Sequence, residues 1–527
     1  MSELSTITKN SKFITMLTVG WISLISYLTV TKVAPQHLEA DFLLNSIISI
    51  QRLTLYYWGQ NRLLNVLPAA TSFIKDPATN LYAILIITSF LFYLFLFIIS
   101  RFIALACKPI DKRPLSLTIF VILSSIFVNI CYPEAIYSIA ICHYEYVIPA
   151  ILLCIASYLL LTPHHAIRYW GMIVSIVLAI GINPSSTIPA FFIALTDSIY
   201  KRKLRLPSVI FTFTSIISYI IWKFISNQYG RFDYTKLSST SITDAFTMIA
   251  VGLVQITNLY VFFLLLGFWI FGRILHLLMY KTQEHFYPFF THIKLCITLF
   301  SICWFLLFAN NAWVEMNQFH WRYFIYVIFG FMIIIAIETA ILCNEIISKK
   351  TLSIVTLAFA ILAIISTIST HTPLNNYKIF QQVNALSPAG SALYAGDYWV
   401  VWPSVLRDLM QGYQAYGLTY RAESNREAAR KFTFEKIKEN GYATVLCLNE
   451  KAENCIMQIQ SVVGPIYHNE TIFLKPSVSL IKVTSVSSPK SETVYKESFL
   501  AKYNARRFCN ETDDVHRDAD RSNFEGS

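Results

Sequence analysis

Two carboxylates stand two positions apart, Glu39 and Asp41 in "HLEADF" (37–42), just beyond the first long apolar run and with no Lys or Arg in the hexapeptide. An acid pair can take the proton of an attacking hydroxyl or hold a metal ion. Three more polar clusters follow apolar runs in the same way: "YYWGQNRLLNVLP" (56–68) with Trp58 and Arg62, "CHYEYVIP" (142–149) with His143 and Glu145, and "EMNQFHWRYF" (315–324) with Glu315, His320, Arg322 and Tyr323. An Arg at a membrane surface grips a phosphate through two oxygens, and aromatic faces hold a sugar ring or a lipid chain. Acid pair, arginine and aromatics together describe the transfer of a sugar from a phospholipid carrier. Each residue alone also has a plainer reading, as an interfacial anchor or a solvated loop charge.

These groups need a scaffold that gathers them on one face of a bilayer. Of the 527 residues 55% are hydrophobic and only 14% charged, against about 25% charged in soluble domains. Apolar runs long enough for ~30 Å of hydrocarbon occupy residues 13–31, 81–106, 115–132, 147–162, 168–183, 187–200, 207–225, 248–272, 293–309, 323–347 and 352–370. The fifth and sixth, broken by "NPSST", read as a short hairpin that need not cross. The net charge of +11 is dispersed between the runs and not gathered in a stripe, which argues against nucleic acid. Arg101, Lys112, Arg113, Lys201, Arg202, Lys203 and Lys349 fall in alternate loops, whereas "NPSST" and "PEAIYSIAICHYEY" carry no Lys or Arg. The positive-inside rule then puts the N-terminus in the cytoplasm, and the first loop (32–80) and everything after 370 outside.

The expected organisation is a cytoplasmic tail (1–12), a membrane domain (13–370), a small extracytoplasmic α/β domain (371–485) with strand-like "YATVLCL" and "TIFLKP", and a polar, disordered tail (486–527). The fold class is thus an α-helical polytopic membrane protein of about eleven transmembrane helices. Seven of ten cysteines fall at or within the runs; Cys447 and Cys455 alone pair up in an outer segment, where a disulfide is one of two open alternatives. GxxxxGK[ST] and GxGxxG are absent, so ATP and nicotinamide are not expected as cofactors.

Glu39-Ala40-Asp41 as an E-x-D variant of the D-x-D signature after the first span, the eleven-odd spans and the outer C-terminal domain resemble the GT-C class of polyprenyl-phosphate-sugar glycosyltransferases. Segments 56–68, "HWRYF" (320–324) and "AGDYWVVWP" (395–403) are most similar to the serotype-converting O-antigen glucosyltransferases of phages and prophages. The resemblance implies an inverting transferase of the bacterial inner membrane that takes glucose from undecaprenyl phosphate to O-antigen repeats in the periplasm. It also implies dependence on a donor synthase and a flippase. In this reading Asp41 is the base with Glu39 as its support or metal-facing partner, Arg322, Tyr323 and His320 hold the donor phosphate, and Arg62, Trp58, His143, Glu145, Glu315 and Trp399 are substrate-binding candidates. No cofactor is required by the residues; a divalent ion stays open. The rival readings are an O-antigen polymerase and a flippase or other transporter. Span interiors nearly free of charge and the absence of repeated halves weigh against a transporter.

Overall fold

The computed structural model describes residues 2–51, 66–107, 112–161, 166–229, 237–260, 287–345, 349–386, 389–390, 393–419, 426–448, 452–464, 468–475 and 478–484, with single positions at 262, 263, 267 and 270. The chain forms two compact units, Met1–Gln382 and Val383–Ser527.

The first unit is helical because a segment in hydrocarbon can satisfy its peptide groups only within itself. In chain order it contains α1 (Ser2–His37), α2 (Ala40–Gln51), α3 (Val66–Thr71), α4 (Pro77–Ala106), α5 (Lys112–Ile130), α6 (Pro133–Tyr137), α7 (Tyr144–Leu161), α8 (Ala166–Ile182), α9 (Thr187–Lys201), α10 (Leu206–Tyr229), α11 (Ile242–Gln255), α12 (Tyr287–Ala309), α13 (Ala312–Met316), α14 (Ile325–Glu345) and α15 (Lys349–Thr367). Among the described residues six helices are long and apolar enough to cross a membrane, and five shorter apolar ones accompany them. This agrees with a polytopic membrane protein of roughly the expected helix number. The "NPSST" break is a 3-10 turn, Pro184–Ser186, capped by Asn183, whose side chain accepts from the Ser185 amide. Helices α8 and α9 on either side of it have 17 and 15 residues, so each spans about 23–26 Å. Apolar side chains face outward in stripes, Ile354, Leu357, Ile361 and Ile365 on α15 and Phe213, Ile216, Ile220 and Phe224 on α10. Such stripes suit lipid and not water.

The apolar α4 lies inside the bundle. Asp76 caps it, accepting from the Thr79 amide at 2.8 Å, and Pro77 opens it. Its buried Asn80 donates to Ser49 Oγ at 2.8 Å and to the carbonyls of Thr71 and Ile74, both at 3.0 Å, and accepts from Ser46 Oγ at 2.9 Å. A buried amide satisfied on both its atoms is costly to remove. It fixes α2, the helix that begins at the acid pair, to the wall of the bundle.

The second unit has a five-stranded sheet of order β2-β1-β3-β5-β4, built from β1 (Leu393–Gly396), β2 (Tyr416–Thr419), β3 (Ala443–Leu448), β4 (His468–Lys475) and β5 (Val478–Thr484). The strands β2, β1 and β3 are parallel, and β5 and β4 add antiparallel. Parallel neighbours require crossover helices, and Tyr398–Met410, Arg426–Asn440 and Ala452–Val463 are the helices of this unit's α/β region. A core of Leu393, Val445, Ile459 and Val483 closes beneath them. Cys447 and Cys455 are joined in a disulfide with Cα atoms 6.0 Å apart, which resolves the open alternative. The expected tail 486–527 lies outside the described residues.

Candidate functional site

Three separate chain segments bring their ionisable groups to one end of the first unit. The first is the break between α1 and α2. Pro35 lies in the last turn of α1, the chain leaves helical geometry at Leu38 and Glu39, and it turns back into helix at Ala40. Asp41 therefore sits in the first turn of α2, where the helix N-terminus favours a negative charge. Glu39 is the residue before that helix; its carbonyl accepts from the amides of Phe42 and Leu43 at 3.1 Å, and its own amide donates to the Tyr137 hydroxyl at 3.2 Å. The two carboxylates thus leave the backbone on either side of a helix start, neither from one strand nor from one helix.

Water reaches the Glu39 carboxylate, yet protein packs around it closely enough that burial pushes its pKa from 4.5 to about 7. The charge of Asp41, and less so that of Glu134, pushes in the same direction, while His143 and Arg322 oppose it. One group near neutrality beside a second carboxylate is the arrangement used where acid and base roles are divided between a pair.

The second segment runs from α6 through a single π turn, Ser138–Cys142, to His143 and α7. The His143 amide closes that turn on the Ser138 carbonyl at 3.0 Å, and such turns are over-represented at functional sites. Next to it, His143 Nδ1 lies 2.8 Å from Glu145 Oε1. The Tyr144 hydroxyl donates to Asn45 Oδ1 of α2 at 3.0 Å, which ties this segment to the acid pair. The charges of Glu39, Asp41, Glu145 and Arg322 all reach the buried Cys142 thiol.

Arg322 comes from the third segment, the loop before α14. Gln318 and Phe319 adopt positive φ of 53° and 49°, a conformation that costs ordinary side chains about 1 kcal/mol or more. Beyond this strained turn the Trp321–Phe324 3-10 turn presents Arg322, whose Nη2 donates to Asn317 Oδ1 at 2.9 Å and to the Tyr323 hydroxyl at 3.2 Å. The guanidinium lies 5.1 Å from the Tyr323 ring centroid and is within electrostatic reach of Asp41 and Tyr146. Trp304 on α12 anchors the turn by donating to the Tyr323 carbonyl at 2.9 Å.

The surroundings of the remaining expected residues are as follows. His320 caps the 3-10 turn, its Nδ1 accepting from the Arg322 amide at 3.2 Å. Both Glu315 oxygens hold the neighbouring loop: Oε1 accepts from Ser239 Oγ at 2.7 Å and Thr240 Oγ1 at 2.6 Å, and Oε2 from the Ser239 amide at 3.0 Å. Burial pushes its pKa up, but those hydrogen bonds prevail and hold it down at about 2. Trp399 belongs to the second unit and is 46% exposed, whereas its neighbours Tyr398 and Trp402 are buried, so of the three rings only this one is open to a ligand. Trp58 and Arg62 lie outside the described residues. Among those described, no three His, Cys, Asp or Glu side chains form a metal-binding group.

Asn183 and Ser186 at the hairpin tip are not among the expected site residues, yet they contact its supports. Asn183 Nδ2 donates to the Glu145 carbonyl at 3.3 Å, and the Ser186 and Tyr326 hydroxyls are 2.5 Å apart. Asparagine and serine in a predicted break read as turn residues, so only the two long-range contacts reveal them.

No known protein-family model matches the chain, and no curated protein is similar to it. Among solved structures, the chain is similar at a TM-score of 0.47 and 11% identity to the crystal structure of ArnT from Cupriavidus metallidurans bound to undecaprenyl phosphate, with 90% of this chain and 99% of that one covered.

Proposed function

We propose that this chain is a membrane glycosyltransferase of the GT-C type that moves a sugar from a polyprenyl-phosphate carrier to a glycan acceptor. The observation that supports it best is the meeting of Glu39, Asp41, His143 and Arg322, contributed by three separate segments, at one end of an apolar helical bundle. The finer reading follows the sequence resemblance: the sugar is glucose, the carrier is undecaprenyl phosphate, and the acceptor is the O-antigen repeat in the periplasm, so that transfer changes serotype.

In this mechanism the acceptor oxygen attacks the anomeric carbon, and the carbon–oxygen bond to the phosphate breaks on the opposite face with inversion. Asp41 takes the hydroxyl proton. Its short side chain, rooted in the first turn of α2, leaves little freedom to stray from reach of the hydroxyl. Arg322, already oriented by Asn317 and Tyr323, grips two oxygens of the donor phosphate as its charge grows. Glu39 supports the base. If a divalent ion takes part, this pair supplies two carboxylates for it.

The cytoplasmic basic clusters support the orientation. Lys201 closes α9, and Arg202 and Lys203 follow. They are 15 helical residues from the hairpin tip, about 22 Å away along the helix. The disulfide of the second unit suits an oxidising compartment, as expected for a periplasmic domain.

The test compares the O-antigen of a host strain carrying this gene with that of the same strain carrying Asp41→Asn, at matched membrane levels of protein. The wild type adds a glucosyl group and the variant does not. An unchanged polymer with the wild type overturns the transferase reading; a glucosylated polymer with Asp41→Asn overturns the base assignment alone.

A further inference from the structure

His143 is held far more firmly than a residue that only lines a pocket needs to be. Its backbone closes the π turn. Its Nδ1 faces a carboxylate, which can only accept, so that nitrogen carries the hydrogen and the exchangeable site is Nε2. Asn183 of the hairpin tip holds the Glu145 carbonyl, and Tyr144 ties the segment to α2. A chain of rings links the imidazole to the arginine segment: His143 meets Tyr146 edge-on at 6.2 Å, Tyr146 meets Tyr326 at 5.1 Å, and Tyr326 lies four residues beyond Arg322. Tyr146 thus contacts the imidazole and feels the guanidinium, and Glu39 feels both charges.

Transfer creates a need that the acid pair and the arginine do not meet. A sugar phosphodiester departs as a phosphate monoester, with one more negative charge unless a proton arrives. Imidazole is a side chain that can both give and take a proton, and a carboxylate on its other nitrogen keeps it oriented.

We propose that His143, oriented by Glu145, is the acid of the transfer, its Nε2–H protonating the departing phosphate oxygen while Asp41 takes the proton of the attacking hydroxyl. The bond that forms joins the acceptor oxygen to the anomeric carbon. The bond that breaks joins that carbon to the phosphate oxygen, which keeps the electron pair and receives the His143 proton. Protonated Asp41 then returns its proton to neutral His143, so the net movement is from hydroxyl to phosphate with nothing consumed. The proposal rests on the transferase reading and deepens it.

A pH profile alone would mix several groups. Glu145 and Tyr146 touch the imidazole itself, Glu39 feels its charge, and Asp41 and Arg322 act with Glu39 and Glu145 on the neighbouring Cys142. The test therefore varies the leaving group. Full-length protein in lipid nanodiscs is given O-antigen and either a short-chain polyprenyl phosphate glucose or its α,α-difluoro analogue, whose more acidic phosphate leaves without a proton. His143→Gln is expected to lower kcat with the ordinary donor about 10²–10³-fold, the usual reach of general acid catalysis, and less than tenfold with the fluorinated donor, with KM unchanged. Glu145→Gln, which leaves the imidazole in place, is expected to show the same donor dependence at about a tenth of the size. Equal losses with both donors, or a change in KM alone, would overturn the acid role, as would full activity of His143→Gln. A wild-type protein inert toward both donors overturns the transferase reading, and this proposal with it.

Discussion

Glu39 ought to cost the protein stability at neutral and higher pH. Its ordinary pKa of 4.5 rises to about 7 in the fold, first through burial and then through Asp41. A carboxyl whose folded pKa lies above its unfolded value binds more protons folded than unfolded between those two values, so stability falls as pH rises from 4.5 through 7. At about 1.36 kcal/mol per pH unit the full cost is at most ~3.4 kcal/mol. Because water reaches this side chain, screening reduces it to on the order of 1–2 kcal/mol. Glu39→Gln keeps the shape and removes the charge. It should therefore raise the midpoint of thermal unfolding in detergent by about 1–2 °C at pH 8 and leave it unchanged near pH 4.5, while lowering sugar transfer only in part. Midpoints that shift equally at both pH values, or a variant less stable at pH 8, would refute the reasoning from burial.

The phosphate grip should separate the two basic side chains: Arg322→Lys keeps the charge but loses the fork, so it should raise the donor concentration needed for half-maximal transfer, whereas Arg322→Ala should nearly abolish transfer; full activity of the Ala variant would reduce Arg322 to an interfacial anchor. Glu315 has a folded pKa held near 2, below its ordinary 4.5, so the clamp on residues 239–240 contributes stability above pH 4.5 and loses it as pH falls toward 2. The protection of the Ser239 amide relative to its intrinsic exchange rate should fall over that window, and Glu315→Gln should show the lower protection at neutral pH. Reporter fusions after residue 200 should report cytoplasm and those after residue 440 the outer side; a cytoplasmic signal at 440 would place the second unit on the wrong face for a periplasmic acceptor.

Long-period features were legible from the sequence. Apolar runs announced the helices because a bilayer leaves a spanning segment few alternatives, and the switch to short β-type runs announced the sheet at "YATVLCL", which is β3. Charged residues of the candidate site could also be picked out, since Glu39, Asp41, His143 and Arg322 stand in short polar stretches beside apolar runs, although each alone could be an interfacial anchor. Their supports could not. Asn80, which anchors α2, is one polar residue in a long apolar helix, and Asn183 sits in a break whose partner is 38 residues away. The role of Glu315 was hidden for the same reason: its serine and threonine partners lie 75 and 76 residues upstream. Side chains chosen for what they touch across the bundle leave no periodic trace, whereas side chains chosen for solvent or lipid do.

Several local rules fail near these residues, although Arg202, the left-handed cap at the far end of α9, shows that such departures also occur elsewhere. The π turn before His143, the two left-handed residues before Arg322 and the unpaired burden on Glu39 each work against the fold. A chain under selection for stability alone would replace Gln318 or Phe319 with glycine and Glu39 with an amide. Instead, buried contacts brace each strained segment: Tyr144 on Asn45 for the first, Trp304 on the Tyr323 carbonyl for the second, and Asn80 on Ser46 and Ser49 for the helix that follows Glu39. Strain persists only where surrounding structure over-determines it. Here that surrounding structure fixes an acid pair, an imidazole and a guanidinium before any substrate arrives. In the proposed transfer, such preorganisation would spare the reorganisation that solvent demands as charge moves to a phosphate, so loosening any one brace should lower the rate more than it lowers stability.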